Sequence, residues 1–395
     1  MDRPVSVLEI ERPETDAPAD LPVIDFSRRI PGLDGLRGVA ILLVLLCHSI
    51  FDTHPQTPLW SHLLVIGRLT WSGVDLFFVL SGFLIGGILL DSKNSPSYFK
   101  TFYIRRAYRI LPLYGVLVML FSLRYIKAAS AGPLGSFSHS PIPWLAYVTF
   151  TQNIWMALWG TFGAGVMAST WSLAVEEQFY LTAPFLVRSM DRSRLTYLLL
   201  SVLIAAPLGR TALHFLFPHG NFACYVLMPC RADALSAGVL CAALVRTPRW
   251  AKLLFSLRRS ALIWMAGFLA LGLVPLTIWG DGMSTPMVTI GYSWVALFYS
   301  TCLLSVITET STASRGVLTN RYLMQLGGLA YCTYLFHLPL MEACSRLLGL
   351  RFSYSSEGTQ FVGGLVGILL TLVVAKFSWT FFEKPLLRRG HAYKY

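Results

Sequence analysis

The sequence predicts an all-α polytopic membrane protein: about ten transmembrane helices in one bundle, with a short re-entrant or interfacial segment. Three observations predict it. Of the 395 residues, 55% are apolar and 13% charged, about half the charge that a water-facing domain carries. The mean hydropathy is +0.58. Ten stretches approach the ~20 apolar residues that cross a hydrocarbon layer. This composition excludes a soluble globular enzyme and a disordered chain. The seven cysteines lie mostly within apolar runs, which excludes a disulfide-stapled secreted module.

The N-terminus stands apart. Seven of the 20 acidic residues fall in the first 25 positions, among Pro4, Pro13, Pro18 and Pro22. Without apolar periodicity, residues 1–30 read as a disordered cytoplasmic tail. They lack the basic start and apolar stretch of a signal peptide. Residues 31–388 form the membrane domain, and 389–395 a short cytoplasmic tail.

Within the domain the spans fall at 36–52, 71–90, 110–127, 171–188, 195–217, 224–245, 260–279, 287–307, 322–345 and 361–382. A further apolar piece, 143–159, is short and bracketed by Pro141, Pro143 and Gly160. The positive-inside rule decides its status. Ten crossings from a cytoplasmic N-terminus collect 22 of the 32 basic residues on one side. An eleventh crossing would export the clusters at 188–194 and 246–259. Residues 143–159 therefore re-enter or lie at the outer interface, with their backbone covered by protein. Both termini face the cytoplasm, and the expected location is the cell inner membrane. The formal charge of +12 follows from this topology and calls for no nucleic-acid partner.

Polar residues inside the spans carry the functional reading, since a charge at mid-membrane costs about 2.5–3.5 kcal/mol on insertion scales. In the first span Arg37 and His48 are eleven positions apart, roughly 16 Å and three turns along a helix, so they share a face. His48 is open to two readings: a helix-end histidine at the interface, or a general base, because imidazole titrates near neutrality. The second span carries Asp75 near its outer boundary, and its Ser81, Gly82, Gly86 and Gly87 mark close helix packing. Arg105, Arg106 and Arg109 precede Pro112 at the start of the third. Positive-inside charge explains one or two of them, and three on one helix lip also suit a clamp for the phosphates of a soluble donor.

In the fourth span Glu176 and Glu177 point about 100° apart, so at most one faces a given cavity. Arg210 in the fifth and Lys376 in the tenth are positioned to snorkel. In the sixth, Arg231 and Asp233 either neutralise one another or serve a substrate. The ninth offers His337. This topology puts His48, Asp75, Glu176, Arg231, Asp233 and His337 in the outer half, with the arginines at the inner face. The pattern is a tunnel, with an anionic donor held from the cytoplasm and a polar chamber deeper in.

These segments together resemble the acyltransferase-3 family, integral-membrane acyltransferases that modify cell-surface glycans, lipids and some macrolides. The resemblance covers about residues 30–388. It is carried by Arg37 and His48 with their ten-residue gap, by residues Phe77 to Phe83, and by Arg106 and Arg109 before Pro112. It also rests on the block from Trp171 to Tyr180, on Tyr334 and His337, and on Phe382 to Pro385. The resemblance implies an acyl-CoA donor, most often acetyl-CoA, and a hydroxyl acceptor such as a glycan or lipid-linked glycan. It makes His48 the leading catalytic residue, with Arg37 as its donor-side or structural partner.

The expected mechanism has His48 taking the acceptor proton and Glu176 orienting the imidazole. Arg105, Arg106 and Arg109 hold the coenzyme A phosphates. Asp75, Glu177, Arg231, Asp233 and His337 are expected at the acceptor site. No metal is expected, since the Cys and His spacing offers no zinc site. Direct transfer and a route through acylated His48 both remain open. A transporter or flippase for a polar solute is the rival from another class. It predicts an internal repeat, and none is visible. A small-molecule acceptor such as a macrolide is the other alternative. Some family members carry a fused extracytoplasmic hydrolase-like domain, and this chain is expected to act without one.

Overall fold

The computed structural model describes residues 30–51, 67, 69–130, 141–257, 259–278, 281–308, 316–347 and 357–395. The tail expected over 1–30 therefore lies, but for Ile30, outside the described residues. Among those described there is no β-strand.

Helix α1 (Pro31–Leu46) starts on a proline, whose missing N–H has no helical partner to lose there, and runs on as a π turn over Cys47–Phe51. After a short turn at Thr70–Ser72 come α2 (Gly73–Ser92) and α3 (Tyr98–Ser130). Helix α3 passes straight through Pro112, so the arginine segment and the third predicted span form one element; a proline removes a single ladder bond, which a long helix survives. Two short helices follow, α4 (Trp144–Val148) and α5 (Gln152–Trp159). Then come α6 (Thr170–Ser189), α7 (Arg192–Leu216), α8 (Gly220–Val226) and α9 (Met228–Val245). Asp191 caps α7 by accepting from the Arg194 N–H at 2.8 Å. The chain continues as α10 (Pro248–Ser256), α11 (Arg259–Ile278), α12 (Tyr292–Ile307), α13 (Arg321–Leu347), α14 (Glu357–Ser378) and α15 (Lys384–His391).

Among the described residues, seven stretches are long and apolar enough to cross a membrane: α1, α2, α3, α7, α8 with α9, α12, and α14 with α15. The pair α10 and α11 is bent by 84° and passes the same test together, an eighth if it is one broken span rather than a re-entrant loop. The other two predicted spans coincide with α6 and α13, which are 20 and 27 residues long. Polar side chains that include Glu176, Glu177 and His337 dilute their apolar character.

Residues 143–159 do not form a crossing helix. Helices α4 and α5 have five and eight residues and meet at a turn where Phe150 takes φ 54°. Trp144, Leu145, Leu158 and Trp159 face outward, while Gln152 and Asn153 are fully buried. Gln152 donates to the Thr170 carbonyl at 2.9 Å, and Asn153 to that of Val226 at 3.2 Å. Gln178 on α6 donates to the Phe150 carbonyl at 3.0 Å and to Asn153 Oδ1 at 2.8 Å. Protein groups thus cover this irregular backbone, as lipid requires.

Glycines bring two helix pairs into backbone contact. A Cβ on Gly82 of α2 would strike the Leu235 carbonyl of α9, and one on Gly238 would strike that of Val79. Helices α1 and α13 meet in the same way, Gly38 against the Leu323 carbonyl and Gly327 against that of Asp34. Small residues let backbones touch where lipid supplies no hydrophobic drive for association.

Candidate active site

A cavity of about 250 Å³ runs between α1, α2, α3, α6 and α13. Its polar groups come from different helices, so it forms only when these helices pack. At one end stand Arg37 of α1 and Arg106 and Arg109 of α3. The Arg106 guanidinium lies 5.9 Å from the Tyr180 ring centroid, and Arg37 lies 3.9 Å from Asp34. Glu383, from the motif that follows α14, lies within electrostatic reach of Arg109 and Arg37.

Glu176 sits at the middle. Ser81 donates to its Oε1, and Tyr180 to its Oε2 at 3.4 Å. The charges of Arg37, Arg106 and Arg109 all reach it. Of the two adjacent carboxylates only Glu176 lines the cavity; Glu177 points elsewhere, within reach of the Arg106 charge. Phe77, Leu84 and Ile85 supply an apolar wall. Tyr334 closes the far end: it shares a hydrogen bond with Ser172, donates to the Ser169 carbonyl at 3.0 Å, and meets Phe77 edge-on at 6.0 Å.

Both histidines lie past Tyr334. The His337 ring is 5.8 Å from that of Tyr334 and 5.2 Å from that of His48. His337 is fully buried, and its Nδ1 lies 2.7 Å from the Tyr334 carbonyl. His48 stands on the π turn and is exposed at the edge of the bundle. His337 is one group beside the His48 ring, whereas the described bonds of Glu176 go to Ser81 and Tyr180. Sequence reasoning placed Glu176 at the imidazole; it stands instead among the arginines.

Arg105 is also placed differently. It is absent from the cavity wall. Its Nε and Nη2 donate to the Tyr393 carbonyl at 2.9 and 2.6 Å, and its guanidinium lies 4.9 Å from the Tyr395 ring centroid. The Lys394 carbonyl accepts from Ser97 and Thr101 at 3.0 and 2.9 Å. Residues 393–395 thus form a strap across the first turns of α3.

Asp75, Arg231 and Asp233 lie outside the cavity, in two buried ion pairs. Arg231 binds Asp75 at 2.6 Å and lies 3.8 Å over the Tyr292 ring. Asp233 takes Arg210 at 2.9 Å and Ser293 at 2.6 Å. Arg231 and Asp233 therefore do not form an ion pair with each other, and Arg210 is wholly buried with no route to snorkel. Two positions apart on a helix, side chains diverge, which sends each to a different neighbour.

Sequence reasoning missed Ser81, Tyr180, Ser172 and Tyr334 as cavity groups. Tyr180 carried a usable signal, being four residues after Glu176 and so on its face. Among the described residues, no group of three or more His, Cys, Asp or Glu is placed to hold a metal.

Residues 30–377 match the family model described as an acyltransferase domain. The chain belongs to this acyltransferase family. It is 26% identical over 383 residues to the peptidoglycan O-acetyltransferase OatA of Listeria monocytogenes, covering 92% of this chain and 57% of that protein. It is likewise 26% identical over 385 residues to YrhL of Bacillus subtilis, named as a candidate peptidoglycan O-acetyltransferase, covering 92% and 56%. The chain therefore spans a little more than half the length of these relatives. No solved structure matches it with significance. The acyltransferase match takes in all five helices around the cavity and both histidines.

Proposed function

We propose that this acyltransferase-family protein moves an acyl group, acetyl in the leading case, from acyl-CoA to a hydroxyl of a cell-surface or lipid-linked glycan. One observation supports this above others: a single cavity joins three arginines to a tyrosine wall with a histidine pair directly behind it. Arg106 and Arg109 suit the phosphates of a coenzyme A donor at the cytoplasmic mouth, with Arg37 beside them. A narrow, mainly apolar cavity of about 250 Å³ suits the acyl-pantetheine arm. Glu176 holds Ser81 and Tyr180 in place along that path and balances the arginine charge. The glycan class rests on the names of the relatives; the basic residues gathered on one side of the spans support an inner-membrane protein with both termini cytoplasmic.

In the proposed step His48 accepts the proton of the acceptor hydroxyl while its oxygen attacks the thioester carbonyl. The C–S bond breaks, and the thiolate takes the proton from the imidazolium. The products are an ester and free coenzyme A thiol. The test is purified protein in lipid nanodiscs with acetyl-CoA and an N-acetylglucosamine tetramer, following thiol release and ester formation. His48→Ala is expected to abolish both while the protein stays in the membrane. Full turnover by that variant, or solute movement without thiol release, overturns the reading.

A further inference from the structure

We propose that Phe77 and Tyr334 form the acyl stop of the donor cavity, and that Phe77 sets the length of the acyl group transferred. The inference rests on the donor reading above, in which the cavity takes the acyl-pantetheine arm of an acyl-CoA. One face of α2 lines the cavity at every turn, from Ile88 through Leu84, Ser81 and Phe77 to Val74. Those fourteen positions measure roughly 21 Å along the helix. In coenzyme A about thirteen bonds separate the arm's phosphate from its sulfur, roughly 15 Å at the ~3.3–3.6 Å that three bonds of an extended chain cover. An arm that enters at the Ile88 end therefore brings its thioester beside Phe77 and Phe78. About 6 Å of lining is left beyond it, room for a short acyl chain only.

The lining changes character at that level. Arg37, Arg106, Arg109, Glu176 and Ser81 are polar company for an arm that carries phosphates and amides. Past Ser81, α2 offers only Phe77, Phe78 and Val74, which suit a hydrocarbon group and leave a charged one without partners. The two phenyl rings are not equivalent. Phe78 is fully buried, edge-on to Trp171 at 6.0 Å and 5.8 Å from the Arg231 guanidinium, so it is locked between helices. Phe77 is half-buried and meets Tyr334 edge-on at 6.0 Å. Tyr334 is itself held by Ser172 and by the Ser169 carbonyl at 3.0 Å. Phe77 is thus the half of the stop that can be shortened without undoing a hydrogen bond. The reacting carbonyl then lies against Tyr334, on the side away from the histidines.

The test measures kcat/KM for acetyl-, butyryl-, hexanoyl- and octanoyl-CoA in nanodiscs with the N-acetylglucosamine tetramer. It compares the wild type with Phe77→Ala, Phe77→Leu and Ile88→Ala. The wild type is expected to favour acetyl and to fall at least about tenfold at hexanoyl. Phe77→Ala is expected to raise the hexanoyl-to-acetyl ratio at least about tenfold, and Phe77→Leu to raise it less, with butyryl gaining most. Ile88→Ala, at the arm's entrance, weakens all four donors alike and keeps the wild-type ratio. Wild-type turnover of octanoyl-CoA equal to that of acetyl-CoA overturns the inference. So does an active Phe77 variant with the wild-type profile, or an equal shift in Ile88→Ala, which would show loosened packing instead of a stop. Where Phe77→Ala fails to fold, Phe77→Leu decides. Thiol release from none of the four donors by the wild type instead overturns the donor reading beneath.

Discussion

Asp75, Arg231, Asp233 and Arg210 show how intramembrane charges divide between chemistry and architecture. All four are almost wholly buried and paired across helices, and removing one member of such a pair strands the other in a poorly solvating medium. Asp233→Asn is therefore expected to destabilise the fold by about 3–5 kcal/mol, read as a lower thermal midpoint in detergent. The KM for acetyl-CoA in the surviving folded fraction stays unchanged. A KM for the acceptor that shifts while the midpoint does not would return Asp233 to the acceptor site. The sequence showed that these charges needed partners but could not name them, because each partner lies on another helix. It did expose Arg37, Arg106, Arg109 and Glu176 as site candidates, since a charge inside an apolar run is conspicuous. Ser81, Ser172, Tyr180 and Tyr334 escaped, because a hydroxyl in such a run looks like packing.

Among the elements, the pairing of α2 with α9 is exacting. Gly82 and Gly238 each face opposing backbone, which cannot turn aside as a side chain can. Gly82→Val is expected to lower the yield of folded protein and its thermal midpoint; over-packing of this kind costs about 1–3 kcal/mol or more. Gly115, with open space around its missing Cβ, is the control: Gly115→Ala keeps the midpoint or raises it, since Ala suits a helix interior better than Gly. The spans were legible from apolar runs, and the broken segment at 143–159 from its prolines and the charge balance around it. The π turn at Cys47–Phe51 was not legible, because widening one turn leaves the composition untouched. It matters all the same, since it redirects His48 after an eleven-residue count that assumed a uniform helix. The left-handed Phe150 was equally hidden, as little in a bulky aromatic residue announces positive φ.

For the whole molecule, the charge distribution and the cavity point the same way. If the arginine end opens on the cytoplasm, Ser256 lies inside and Asp281 outside. Ser256→Cys is expected to react with a membrane-impermeant maleimide only after permeabilisation, and Asp281→Cys in intact cells. The reverse pattern would turn the cavity round and place its arginines on the wrong side for a cytoplasmic donor. The strap adds something to this picture. With the Arg105 guanidinium latched to the Tyr393 carbonyl and the Tyr395 ring, one of the three clustered cations at the inner doorway is withheld from any visitor. Drawing residues 393–395 aside would hand that cation back, and under the proposed donor reading the pull on a phosphate would then depend on where three distant residues rest.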